Sequence, residues 1–162
     1  MDYHVKWHKP IQLIEGDKNN HLIYTCDEKD MKTIPEAPGV YAFACRFGSS
    51  KVLTPLYVGQ AQNLKARINQ HFQGNVPLMN KIKGRRSSER YYMCGELVLG
   101  RGQGWPKNLK KYLNYIEKKL ISQAFERNSK LFNKNGITIK TNRILSRGRV
   151  PDFVDSKITD SE

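Results

Sequence analysis

The chain has 162 residues, 38% of them hydrophobic and 27% charged, with a formal net charge of +13. That length suits one domain with a modest core, and the hydrophobic content excludes a disordered chain. No apolar run approaches the roughly 18 residues of a membrane span, and MDYHVKWHKP at the start lacks the apolar segment of a signal peptide, so an intracellular, cytoplasmic protein is expected.

In chain order, residues 1–34 read as an N-terminal extension. IQLI and HLIYTC are short strand candidates separated by the turn-forming EGDKNN. Pro35 and Pro38 then stiffen the approach to GVYAFACRF, which alternates Val40, Ala42 and Ala44 on one face with Tyr41, Phe43 and Cys45 on the other. GSSK turns the chain and VLTPLYVG runs back, a hairpin signal. Pro55 cannot donate a ladder hydrogen bond, which predicts an edge position or a bulge there. Leu64, Ile68 and Phe72 recur at helical spacing behind Asn63, a plausible cap. KIKGRRSSER at 81–90 is polar and basic, and YYMCGELVL at 91–99 is a third strand candidate. After GRGQGWP, the apolar positions Leu109, Leu113, Ile116, Leu120 and Ala124 predict a helix over about 107–127. LFNKNG, a possible strand ITIK, a basic tail SRGR and a final PDFVDSKITDSE expected to fray complete the chain. The reading is an α+β fold: a small antiparallel sheet of about three central strands flanked by helices. Its core spans 35–135, and 136–162 form a basic and then acidic tail.

The charge is unevenly placed. Residues 1–80 carry nine basic and seven acidic side chains, residues 81–149 eighteen and four, and the last thirteen residues one and four. A basic block of that density is the footprint of a polyanion binder. The three cysteines, Cys26, Cys45 and Cys94, form no CxxC pair and suggest neither a disulfide framework nor a zinc site.

Three features carry possible chemistry. Tyr41 and Tyr57 lie on adjacent strands, and a phenol can hold and polarise a water. Arg67 and His71 are four apart on one helix face. There a guanidinium fork can grip phosphate oxygens and an imidazole can exchange a proton. Glu117 intrudes on the edge of an apolar stripe with leucine or isoleucine four residues to either side. A carboxylate so placed needs a partner, which a divalent cation would supply. Each feature alone has a plain structural explanation: strand aromatics, a solvated helix face, a carboxylate bending out to water. No GxxxxGK[ST], HExxH or Cys/His cluster competes.

Taken in order, GVY at 39–41, YVG at 57–59, Arg67, His71, Glu117 and Asn133 resemble the GIY-YIG nuclease superfamily over about residues 35–135. The resemblance implies a DNA endonuclease with one catalytic divalent ion, Mg²⁺ or Mn²⁺, bound by Glu117. It implies that Tyr41 or Tyr57 orients the attacking water, that Arg67 stabilises the phosphate, that His71 assists proton transfer, and that Asn133 supports the site. Gln60, Lys65, Lys81, Lys83, Arg85, Arg86 and Arg90 are expected to contact double-stranded or branched DNA. The other reading is a catalytically silent nucleic-acid-binding member. Restriction, repair and mobile-element roles all fit. Two departures stand out: a long spacer at 42–56, and Gln60 where excision-repair relatives often carry lysine. Asn128 and Asn135 are alternatives to Asn133.

Overall fold

The structure, a computed structural model, describes residues 2–18, 21–74, 76–83, 89–100, 103–128, 130–133, 143–155 and 157–158. The two alternating runs form the expected hairpin. Gly39–Arg46 (β5) and Thr54–Ala61 (β6) pair antiparallel, with Tyr41 opposite Gly59 and Phe43 opposite Tyr57. The register then shifts, so Ala44 faces Pro55 and Leu56 is the extra residue of a bulge. β6 ends the strand order of the sheet. Pro55 therefore occupies both an edge strand and a bulge, the two settings where its missing N–H is harmless. Glu89–Val98 (β7) pairs with the other side of β5 and completes the expected antiparallel trio.

The sheet extends into segments read from sequence as terminal. Asp2–Trp7 (β1) runs antiparallel to β7, and Arg143–Gly148 (β8) runs parallel to β1. Ile11–Gln12 (β2) also pairs with β7, and Lys157–Ile158 (β9) with β8. The result is a mixed seven-stranded sheet ordered β6-β5-β7-β1-β8-β9 with β2 off that path, rather than a wholly antiparallel one. Most of SRGR, read as a basic tail, belongs to β8. The following PDFV does not fray: Phe153 and Val154 are buried. The proposed strand ITIK at 137–140 lies outside the described residues. Ile14–Lys18 (β3) and His21–Thr25 (β4) make a separate hairpin; β4 matches the strand read in HLIYTC, whereas β3 runs through EGDK, read as turn, and IQLI is divided between β2 and the first residue of β3.

Helices cover both faces of the sheet. After the one-turn Glu28–Met31 (α1), Leu64–Gly74 (α2) begins where Asn63 Oδ1 accepts the Ala66 N–H at 2.8 Å, the cap expected from sequence. Val76–Lys83 (α3) takes in the first residues of the polar, basic KIKGRRSSER, because Leu78, Met79 and Ile82 fall on one helix face and bury it. Leu109–Arg127 (α4) buries Leu113, Ile116, Leu120 and Ala124 on the opposite face of the sheet. β5 thus has Val40, Ala42 and Ala44 toward α4 and Tyr41, Phe43 and Cys45 toward α2. Fully buried side chains such as Leu64 and Ile68 each stabilise by about 1.5–3 kcal/mol, which fixes α2 against the tyrosine face of the hairpin. Among the described residues no helix is long and apolar enough to cross a membrane.

Candidate active site

The hairpin register and the helix period converge where β6 leads into α2. Tyr41 and Tyr57 share a face, their ring centroids 6.2 Å apart. One α-helical turn separates Arg67 and His71 on α2, so both reach Tyr41. Its hydroxyl lies 2.8 Å from His71 Nε2, and Arg67 Nε donates to it at 3.3 Å. Arginine can only donate, so the Tyr41 oxygen accepts there; Tyr41 also hydrogen-bonds Tyr57, and the direction of its bond to His71 follows the imidazole tautomer. The bland reading of a solvated helix face does not hold for His71, which is 2% exposed and packs against Tyr41, Phe43 and Tyr57.

The electrostatics follow from this burial. Burial, helped by the Arg67 charge, pushes the His71 imidazole down to about 4, so it is neutral at pH 7 and its protonated form is disfavoured. Burial pushes the Tyr41 phenol up, and the nearby Tyr57 adds to that rise while Arg67 opposes it. Tyr57 is also raised, by burial and then by the charge of Glu117. The hydrogen bond to Tyr41 is the largest influence keeping Arg67 firmly charged.

Glu117 approaches from α4 on the other side of the sheet end. Burial raises its carboxyl, while Arg67, Lys118 and a hydrogen bond from the Gln60 backbone oppose that rise. The ion pairs formed among the described residues, Lys6 and His8 with Glu96, Arg46 with Glu89 and Lys65 with Glu36, leave Glu117 out. A half-buried carboxylate without a side-chain ion pair is a donor that suits a hard divalent cation. No group of three or more His, Cys, Asp or Glu among the described residues could hold a metal, so protein ligation there would rest on Glu117 with water and phosphate oxygens.

Asn133 meets the site through the backbone. Its Oδ1 accepts the Val58 N–H at 2.8 Å and its Nδ2 donates to the Val58 carbonyl at 2.7 Å. Phe132 N–H also bonds the Leu56 carbonyl at 2.7 Å, and Asn128 Nδ2 the Pro55 carbonyl at 2.7 Å. The segment after α4 therefore runs along the outer edge of β6 and satisfies polar groups that the edge strand would leave unpaired. Both Asn128 and Asn133 hold this edge, and only Asn133 does so between Tyr57 and Gly59. Asn135 lies outside the described residues.

The residues expected to contact DNA separate into several settings. Lys81 and Lys83 are exposed on α3. Lys65 pairs with Glu36 at 3.0 Å. Gln60 donates through Nε2 to Asn114 Oδ1 on α4 at 3.1 Å, a tie the sequence reading missed. Arg90 donates to the carbonyls of Ile82 and Lys83 at 3.1 and 3.0 Å and lies over the Tyr24 ring, so its guanidinium secures the end of α3. Arg85 and Arg86 lie outside the described residues. Asn114 and Lys110 were also passed over in the sequence. Their signal was spacing: 110, 114 and 117 fall on one face of α4.

The chain thus carries, in order, a hairpin with paired tyrosines, a helix with Arg67 and His71, a third strand and a helix with Glu117, an α+β arrangement compatible with the fold of GIY-YIG nucleases. Residues 37–95 match the GIY-YIG catalytic domain. The match covers both tyrosines, Arg67 and His71, and ends before Glu117 and Asn133. Residues of this chain are also similar to UvrABC system protein C. The protein of Salinispora arenicola is 45% identical over 51 residues, 32% of this chain and 7% of the relative. That of Methanospirillum hungatei is 50% identical over 44 residues, 27% of this chain and 8% of the relative. The chain thus spans less than a tenth of these relatives' length. No solved structure matches it significantly.

Proposed function

We propose that the chain is a divalent-metal-dependent DNA endonuclease that hydrolyses a phosphodiester bond. The observation that carries this reading is the bonded trio of Arg67, Tyr41 and His71 facing Tyr57 and Glu117. Hydrolysis forms one bond from a water oxygen to phosphorus and breaks one from phosphorus to a sugar oxygen. A proton leaves the water and one returns to the leaving oxygen. Tyr41 is 1% exposed and bonded on both sides, so the phenol available to orient water is the partly exposed Tyr57. His71, neutral at pH 7, is hydrogen-bonded to the Tyr41 hydroxyl and would assist proton transfer by holding that hydroxyl in place. Arg67 stabilises the negative charge that grows on the phosphate oxygens. Glu117 would hold Mg²⁺ or Mn²⁺, which supplies Lewis-acid stabilisation of the phosphate. Asn133 keeps Tyr57 in place by fixing its neighbour Val58.

The strong positive charge of residues 81–149 supports a nucleic-acid substrate, with Lys81 and Lys83 as exposed backbone contacts. The similarity to UvrABC system protein C favours DNA, and an incising role of the repair type, over RNA. The test is cleavage of supercoiled plasmid with Mg²⁺, with EDTA, and by the Glu117→Ala protein. Nicking or linearisation that vanishes in both controls supports the nuclease. Tight binding with no cleavage would turn the reading to a silent binding module. Affinity should also fall steeply with salt as bound counterions are released.

A further inference from the structure

Beside the tyrosines lies a cleft of about 420 Å³ between the start of α2 and α4. Arg67 lies at its border with the tyrosines. The other polar walls are Gln62, Asn63 and Gln70 from one side and Lys110 from the other, with Gln60 at the strand end; no carboxylate lines it. Its amides are held in set orientations. Gln70 Oε1 accepts from Arg67 at 3.1 Å, so its amide NH₂ is turned away from the guanidinium. Asn63 Oδ1 is occupied by the Ala66 N–H, which likewise leaves its NH₂ as the group to offer. Two cations and two oriented NH₂ groups make a cleft of donors. The chemistry that fits is an anion rich in acceptor oxygens.

We propose that this cleft binds the phosphodiester group next to the scissile one on the same strand, with Lys110 as its charge partner and Asn63 and Gln70 donating to its oxygens. The proposal rests on the nuclease reading and refines it. Arg67 borders both spaces, so a strand whose scissile phosphate meets Arg67 at the tyrosines carries its neighbouring phosphate into the cleft. Lys110 and Glu117 are on one face of α4, two turns apart. That face would therefore set the position of the strand on both sides of the bond. Lys110 is a positioning residue for the reaction, acting through where it holds the strand.

The experiment measures fluorescence anisotropy of a labelled duplex in EDTA across a range of KCl, for wild type, Lys110→Ala, Lys110→Arg, Asn63→Asp and Lys51→Ala. Lys51 is an exposed cation in the hairpin turn and serves as the control for simple charge loss. Asn63→Asp keeps a capping oxygen but replaces the donor with a negative charge. The inference expects Lys110→Ala to weaken binding by about tenfold, with a salt slope smaller by about 1, and Lys51→Ala to do much less. Lys110→Arg should restore binding, and Asn63→Asp should weaken it while melting like wild type. In cleavage by the metal-loaded protein, Lys110→Ala should raise KM far more than it lowers kcat. Equal binding by Lys110→Ala and Lys51→Ala, in a protein that cuts DNA, would overturn the cleft and leave the nuclease standing. The expected binding losses in a wild-type protein that never cuts would keep the cleft as a strand-binding site and remove the nuclease. A wild type with no affinity for the duplex would overturn both.

Discussion

Tyr41 lies across Gly59: a Cβ on Gly59 would meet the Tyr41 hydroxyl at 2.5 Å. The two residues are direct partners across the hairpin, so the glycine of the second tripeptide exists as space for the tyrosine of the first. Gly59→Ala should push the Tyr41 ring away from Arg67 and His71. Overpacking of this kind costs about 1–3 kcal/mol, and the displaced hydroxyl should cost most of the cleavage rate as well. Thermal melting together with plasmid cleavage checks this. A variant with wild-type stability and rate would mean the ring has room that the packing denies.

His71 should make the protein's stability pH-dependent in the acid range. In the unfolded chain it binds a proton with a pKa near 6.5, and burial lowers this to about 4 in the fold. The unfolded state therefore holds more protons between these values. The stabilisation is complete above pH 6.5 and declines as pH falls to about 4, by up to about 3 kcal/mol. Urea unfolding at several pH values, for wild type and His71→Gln, isolates the effect. The variant should be less stable at pH 7 and lose less between pH 6.5 and 4. Parallel pH profiles would show that His71 titrates normally.

The parts of this architecture legible in the sequence are those with local periodicity. Tyr41 and Tyr57 could be placed on adjacent strands because alternation and one turn fix a hairpin, and the Leu64–Ile68–Phe72 spacing fixed the face that Arg67 and His71 share. β1 was not legible, because DYHVKW is short and mixes charge with its apolar residues; only pairing with β7 and β8 makes it a strand. β8 carries two arginines at its ends and read as tail for the same reason. Phe153 and Val154 sit among acids that suggested fraying, yet the apolar pair finds the α4 core. At the site, Glu117 stood out as a carboxylate beside an apolar stripe. The ties between Gln60 and Asn114 and between Asn133 and Val58 join residues 54 and 75 positions apart, where no local pattern operates.

Asn133 replaces a neighbouring strand for one residue, serving both the N–H and the carbonyl of Val58. Asn133→Ala leaves both groups without this partner and should destabilise the protein by about 1–3 kcal/mol. Asn133→Asp keeps the acceptor for the N–H but sets a charged oxygen against the carbonyl, and should recover little. Hydrogen exchange at the Val58 amide reports the bond directly. It should quicken sharply in both variants if the edge loosens, and cleavage should fall with it because Tyr57 is the adjacent residue. Unchanged exchange in Asn133→Ala would assign the protection to other groups.

The link between Tyr57 and Glu117 can be tested without substrate or metal. Burial raises the Tyr57 phenol, and the carboxylate charge of Glu117 raises it further, because a second negative charge nearby disfavours the phenolate. Glu117→Gln removes that charge and keeps the shape, so the Tyr57 pKa should fall. Arg67 should also lose one of the charges that hold it in its protonated state. Tyrosine ring-carbon NMR titration of the metal-free protein follows the shift, with Tyr57→Phe identifying the signal. A Tyr57 signal that titrates identically in wild type and Glu117→Gln would show the carboxylate turned away from the phenol, and Glu117 would then be too remote to act on a water held there. A fall confined to Tyr57 would support its place beside the carboxylate, where neutralising Glu117 eases the ionisation of the phenol.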